Sequence, residues 1–358
     1  MTEAARASSA RWPVGPVLSV GDAGPLGTAL SEGDGESKGI YPLVNHPGWL
    51  VKIYKAPQGE MDTARLNWLI AVPEKASPVD RTAIREHTCW PVARLTDDFG
   101  RSIGCVLPAA PAEFRIGHDE RYLEVDLLAK PDESIRRRGL PVPSWSDRVA
   151  ACVGIATIGA VLERNALVYS DWSYSNMFWN PAGRSVYLID IDGIGFRVKP
   201  NMAQPNWDDP LTVGPAPADV YTDRYRIALL VGRCLTGRRE HDRMVHGLAR
   251  ISPEFGARTL LLDILLAADR IRRPSVSAMH AALSGLPYLR TPLTCRPMPP
   301  MPPDIVRRRP QPAARPGLVV PPPGSAAAAK SGSSAGMVML GVVVAVVVLI
   351  ICVAMAGL

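Results

Sequence analysis

The chain of 358 residues is 47% hydrophobic and 21% charged, a balance that suits a globular protein with a real core and excludes a disordered or fibrous one. Its formal net charge of +6 is partly local, because Arg307, Arg308, Arg309 and Arg315 crowd just before an apolar C-terminal run; no basic stripe interleaved with aromatics accompanies them, so no nucleic-acid partner is expected. The six cysteines and six histidines form no CxxC, HExxH or paired ligand spacing, so a structural zinc site is not expected and the cysteines read as reduced core residues.

Taken in chain order, residues 1–24 are small and polar with prolines and predict a flexible arm, without an apolar core of signal-peptide length. Residues 25–110 carry short extended runs at Ile40–Val44, Leu50–Tyr54 and Ser102–Leu107 around one short helical stretch at Met61–Ala71, which predicts a small strand-rich lobe. Residues 111–295 turn mostly helical. Ser144-Trp-Ser-Asp147 is a capping-box pattern opening a helix through Leu162, and further helices are predicted near Thr222–Leu235 and Ala257–Ala268. Between them lie two strand candidates, Met177–Trp179 and Val186–Ile189, joined by the turn-like Asn180-Pro-Ala-Gly183. Residues 296–335 are rich in Pro, Ala and Ser and predict a semi-rigid spacer. Residues 336–358 predict a transmembrane tail anchor: Met337 to Gly357 holds no charge over 21 residues, about the length that crosses a bilayer. Arg307–Arg309 and Lys330 on its N-terminal flank predict a single-pass protein of the cell membrane with its globular part in the cytoplasm.

The chemistry concentrates in Tyr169-Ser-Asp-Trp-Ser-Tyr-Ser-Asn176, followed by Leu188-Ile-Asp-Ile-Asp-Gly193. Phosphoryl transfer needs one carboxylate to orient or deprotonate the attacking hydroxyl, and an amide with a second carboxylate to hold a metal against the phosphates. An Asp-x4-Asn pair after a helix and an Asp closing the next hairpin offer that set. At these residues the chain resembles the protein-kinase superfamily, and the LIDxDG form looks more like divergent bacterial Ser/Thr kinase-like proteins and aminoglycoside-type phosphotransferases than the usual DFG. The resemblance implies that Asp171 is the catalytic base and that Asn176 and Asp190 are the metal ligands, with Asp192 standing where DFG has its glycine.

Other matches follow in the same order along the chain. Gly33, Gly35 and Gly39 resemble a glycine-rich loop covering ATP phosphates, with one extra residue, and Lys52 resembles the strand lysine that pairs with the phosphates. Downstream, Asp223 matches a buried helical aspartate that braces the catalytic loop, and Arg272-Arg-Pro-Ser275 matches the RPS that closes many kinase domains. Together these imply a bilobal α+β kinase-like fold over about residues 25–290, binding ATP with Mg2+ or Mn2+ and transferring phosphate to Ser or Thr hydroxyls of protein substrates. Three departures stand out. Tyr169-Ser170 replaces the usual His-Arg, which removes the contact to a phosphorylated activation loop; the glycine loop carries its extra residue; and neither Glu60 nor Glu74, which flank the short helix, has the spacing of the helical glutamate that pairs with the lysine, Glu60 being the candidate named for it. They favour an alternative in which the chain is a catalytically impaired pseudokinase, a membrane-tethered nucleotide-binding or scaffold module.

Overall fold

The computed structural model describes residues 11–33, 37–116, 121–201, 203–212, 216–289 and 294–299. Gly35, the first ten residues of the expected arm, the spacer beyond residue 299 and the whole expected membrane span lie outside them.

The N-terminal part is a six-stranded sheet built from β1 (Val17–Ser19), β2 (Ser31–Glu32), β3 (Ser37–Pro42), β4 (Trp49–Tyr54), β5 (Ala93–Thr96) and β6 (Ser102–Pro108), in the spatial order β1-β5-β6-β4-β3-β2. All neighbours run antiparallel except β1, which pairs parallel to β5. Period-two alternation explains β4: Trp49 and Val51 join one core with Leu18, Leu43, Leu95 and Val106, while Leu50 and Tyr54 pack on the opposite face with Leu66, Cys105 and Leu107. Lys52 shares the second face, which carries helix α1 (Glu60–Lys75).

The arm expected over 1–24 ends earlier than its composition suggests. Leu18 is buried in the sheet, and the Trp12 ring packs edge-on against Trp49 with centroids 5.1 Å apart. Three residues of strand are too short for periodicity to register, so these contacts exist only through the fold. Helix α1 also runs past the expected Ala71 to Lys75, and a second helix, α2 (Pro78–His87), follows it under a Ser77 N-cap.

The C-terminal part is organised around α3 (Trp145–Arg164) and α4 (Val220–Thr236). Ser144 caps α3 through a complete capping box with Asp147, as its sequence pattern predicts. Among the described residues α3 is the helix long and apolar enough to cross a membrane, and it lies 56% buried in the core, which accounts for its composition without any bilayer. Helix α4 starts at Asp219, whose side chain accepts from the Tyr221 and Thr222 amides, and ends at left-handed Gly237. Shorter helices α5 (His241–Ala249), α6 (Gly256–Leu266) and α7 (Val276–Leu283) follow α4. Between α3 and α4 the chain forms β7 (Leu167–Val168), the hairpin β8 (Met177–Asn180) and β9 (Ser185–Leu188), and β10 (Gly195–Phe196), which pairs back to β7.

The RPS match has a structural counterpart. Arg273 donates from both terminal nitrogens to Asp209 at 2.6 Å each, and both side chains are fully buried. Burial alone would raise the Asp209 carboxyl; the guanidinium outweighs it and holds the group below the usual carboxylate range. Removing either partner strands a buried charge. We expect Arg273→Ala or Asp209→Ala to destabilise the fold by about 3–5 kcal/mol, read as a lowered denaturation midpoint. Replacing both residues at once should lose less than the sum of the two single changes.

Candidate active site

The cleft is assembled from three short backbone segments: β4, the loop between β7 and β8, and the turn after β9. β4 places Lys52, and its neighbour β6 approaches so closely that a Cβ built on Gly104 would overlap the Lys52 carbonyl. Only glycine admits that spacing, which sets how deep the lysine stem starts.

The loop 169–176 is held from below. Asp223, 4% exposed on α4, accepts hydrogen bonds from the backbone N–H of Tyr169 at 2.8 Å and of Ser170 at 2.9 Å, the bracing expected of it. From the next turn of the same helix the buried Arg226 donates to the Ser170 carbonyl and, at 3.1 Å, to Asn201 Oδ1. Clamped on both its N–H and its C=O, Ser170 adopts a left-handed φ of 57°, and Asp190 one of 58°. Such strain in non-glycine residues persists only where surrounding bonds enforce it, and it gathers at functional sites.

That backbone delivers Asp171 and Asn176 to one spot. Asn176 Nδ2 donates to the Asp171 carboxylate at 2.8 Å and to its carbonyl at 3.0 Å, which leaves the amide oxygen of Asn176 as its donor to a cation. The same residue's carbonyl accepts the Ile189 N–H at 2.9 Å, so the loop is stitched to the segment carrying Asp190. Asp190 and Asp192 both bind Lys52, the latter at 2.8 Å. Burial opposes the charge on Lys52, but the neighbouring carboxylates of Asp192 and Asp190 overcome it and hold the ammonium well above the ordinary lysine value.

The structure thus brings Lys52, Asp171, Asn176 and Asp190 into one cleft. Gly33 sits at φ 76° where β2 turns toward β3, and Gly39 lies in β3 opposite Ile53; Gly35 is outside the described residues. Glu60 is a correction. It is exposed on the first turn of α1, and the residues that helix buries are apolar, Leu66, Leu69 and Val72 with Pro73, so Lys52 is paired from within the cleft and not by a helical glutamate.

Three further residues reach the cleft without having been singled out. Lys199 Nζ donates to the Tyr169 carbonyl at 3.0 Å, and burial lowers its pKa against the pull of Asp171 and Asp223. Gln204 donates its amide to the second oxygen of Asp171, while its own carbonyl oxygen is buried without a partner. Arg226 stands three residues after Asp223, a spacing that puts both on one helix face and was the readable sign of a shared target. The aromatic neighbours Tyr169 and Trp172 are packed in the core at 1% exposure each, as expected of structural residues.

The donor set fits a hard divalent cation: amide and carboxylate oxygens, with no thiolate or imidazole among them. Asp190 is the accessible carboxylate, with a side chain 46% exposed against 7% for Asp192. Hollows of about 270 Å3 beside Trp12, Trp49 and Trp90 and of about 750 Å3 beside Ile271, Pro274 and Tyr288 share no residue with this cleft. Neither gathers a comparable set of carboxylates, so chemistry and not hollow size locates the site.

No protein-family model matches the sequence, and no curated protein does. Among solved structures, titin kinase with its flanking domains superposes with a TM-score of 0.53 over 78% of this chain and 52% of that one, at 12% identity. The fold is kinase-like. The chain spans about half the length of that structure, and at this identity the likeness speaks for fold alone.

Asp223 offers a pH test of the bracing. Its burial outweighs the two N–H bonds and raises its pKa from 3.8 to about 6. The folded state therefore binds the proton more tightly than the unfolded chain. This contribution to stability is full below about pH 4 and is lost as the pH rises through about 6. Asp223→Asn removes the titration, so the stability margin of the natural chain over the variant should be about 2 kcal/mol larger at pH 4.5 than at pH 7. Unfolding curves at the two pH values measure it.

Proposed function

We propose that the chain is a membrane-anchored, kinase-like phosphotransferase that uses ATP with Mg2+ or Mn2+ to phosphorylate Ser or Thr hydroxyls of proteins. The observation that carries this proposal is the convergence of Asp171, Asn176, Asp190 and Lys52 in one cleft of a kinase-like fold. The bound cation, held by Asn176 and Asp190, would neutralise phosphate charge. Lys52 supplies a fixed positive charge for the nucleotide phosphates, and Gly33, Gly35 and Gly39 let backbone approach them. Asp171 accepts the hydroxyl proton and aligns its oxygen for attack. The anchor at 337–357 and its basic flank support placement at the cytoplasmic face of the cell membrane, next to membrane-associated protein substrates.

The test uses the full-length chain with γ-labelled ATP and either metal. Label should reach a generic protein acceptor, and Asp171→Ala should lower kcat by about two to four orders of magnitude while ATP still binds. Transfer that survives Asp171→Ala unchanged rejects the role given to that carboxylate.

A second reading, a pseudokinase serving as a nucleotide-binding or scaffold module, is favoured by one observation. Both Asp171 oxygens are taken by amides of the chain itself, Asn176 and Gln204. The orphaned Gln204 carbonyl oxygen argues that this hold is shallow, since an unpaired buried acceptor costs about 1–3 kcal/mol. Gln204→Ala separates the readings. In a restrained enzyme it should raise the transfer rate about tenfold, the equivalent of one hydrogen bond to a charge. A variant that binds ATP and still transfers nothing supports the pseudokinase.

A further inference from the structure

The carboxylate at position 192 is unexplained by the roles above. We infer that Asp192 is the positioning residue that keeps Lys52 aimed at nucleotide phosphates, in place of a carboxylate from α1. This deepens the nucleotide-binding proposal and rests on it.

Helix α1 carries three acids, and none meets Lys52: Glu60 is exposed, Asp62 lies 3.2 Å from Arg65, and Glu74 pairs with Arg85 at 2.8 Å. The face it turns inward is apolar, with Leu66 packed near Cys105 and Tyr54. Lys52 is nonetheless 12% exposed in its side chain, and a nearly buried ammonium needs a permanent counter-charge. Asp190 is unsuited to be that partner, because it is the open carboxylate of the pair and the one a cation would engage. A metal there withdraws its charge from the lysine. Asp192 remains, 2.8 Å away and 7% exposed.

The backbone around Asp192 suits a fixed post. Ile191 and Ile194 flank it at 0% exposure, and the Ile194 N–H closes a turn onto the Ile191 carbonyl at 2.9 Å. The Tyr54 hydroxyl lies two residues along β4 from Lys52, and its burial beside Cys105 and Asp192 holds its proton well above the ordinary phenol value. A glycine at 192 would leave Lys52 held by Asp190 alone. The consequence is regulatory. In protein kinases the strand lysine depends on a helix that can move; here the lysine is secured by the turn after β9, so a shift of α1 does not release it.

The test compares the full-length chain with Asp192→Asn, Asp192→Glu and Asp190→Asn, checking each for an intact melting transition. ATP affinity is measured by displacement of a fluorescent nucleotide with and without Mg2+, and Mn2+ affinity by spin-resonance titration in the presence of ADP. Asp192→Asn should weaken ATP binding about tenfold both with and without metal, leave Mn2+ affinity within about threefold, and be largely restored by Asp192→Glu. Asp190→Asn should do the reverse, losing Mn2+ first. Asp192→Asn that binds metal-free ATP like the natural chain overturns the inference, as does a loss of Mn2+ matching that of Asp190→Asn, which would make Asp192 a metal ligand. If Asp192→Asn does not fold, a Lys52→Met background decides: there Asp192→Asn should weaken ATP binding no further, and an equal additional loss rejects the coupling. Failure of the natural chain to bind ATP at all would instead remove the nucleotide-binding proposal itself.

Discussion

A carboxylate buried under a loop is the constraint on which the cleft depends. Asp223 sits on a helix with thirteen of its seventeen residues buried, so its position is set by core packing and cannot adjust to the loop above. Taking a carboxylate out of water is unfavourable, and the group remains there because two backbone N–H groups reach it. The loop must therefore come to the aspartate. Its bend at Ser170, the direction in which Asp171 leaves it and the strain stored there all follow from that demand, with Arg226 holding the carbonyl side.

Charge balance organises the rest of the cleft. Lys52 from the sheet and the 190–192 turn from the helical part are joined by ion pairs, in which Lys52 and Asp192 are nearly buried and would each be costly alone, while Asp190 stays open to solvent. Asn176 and Gln204 share the Asp171 carboxylate, and Lys199 closes the ring by holding the Tyr169 carbonyl. Farther out, the buried Asp209–Arg273 pair fastens the end of the segment that carries Gln204. The cleft is thus a set of mutually compensating charges hung on two rigid supports, the sheet and α4.

Much of this was legible in the chain itself. The Asp-x4-Asn pair, the aspartate after the next hairpin and the strand lysine are local patterns, each lying within one element or one turn, and in this order they resemble the protein-kinase superfamily, a resemblance that implied a two-lobed α+β fold with these side chains in one place. The helix capped at Ser144 was readable for the same reason. The edge strand at 17–19 was not, because its stability comes from pairing with residues more than seventy positions away.

The partner of Lys52 was likewise beyond local reading. Glu60 had the residue type and stood on the helix neighbouring the strand, but a helix presents one face, and burial of Leu66 and Leu69 turned its first-turn acid to solvent. The sequence by itself determined which chemical groups were present and in which short segments, since spacing and periodicity are properties of neighbours along the chain. Only the tertiary structure decided which charge faces which. A buried ammonium takes whichever carboxylates the packing of the two parts leaves beside it, and here those were Asp190 and Asp192, 138 and 140 residues away.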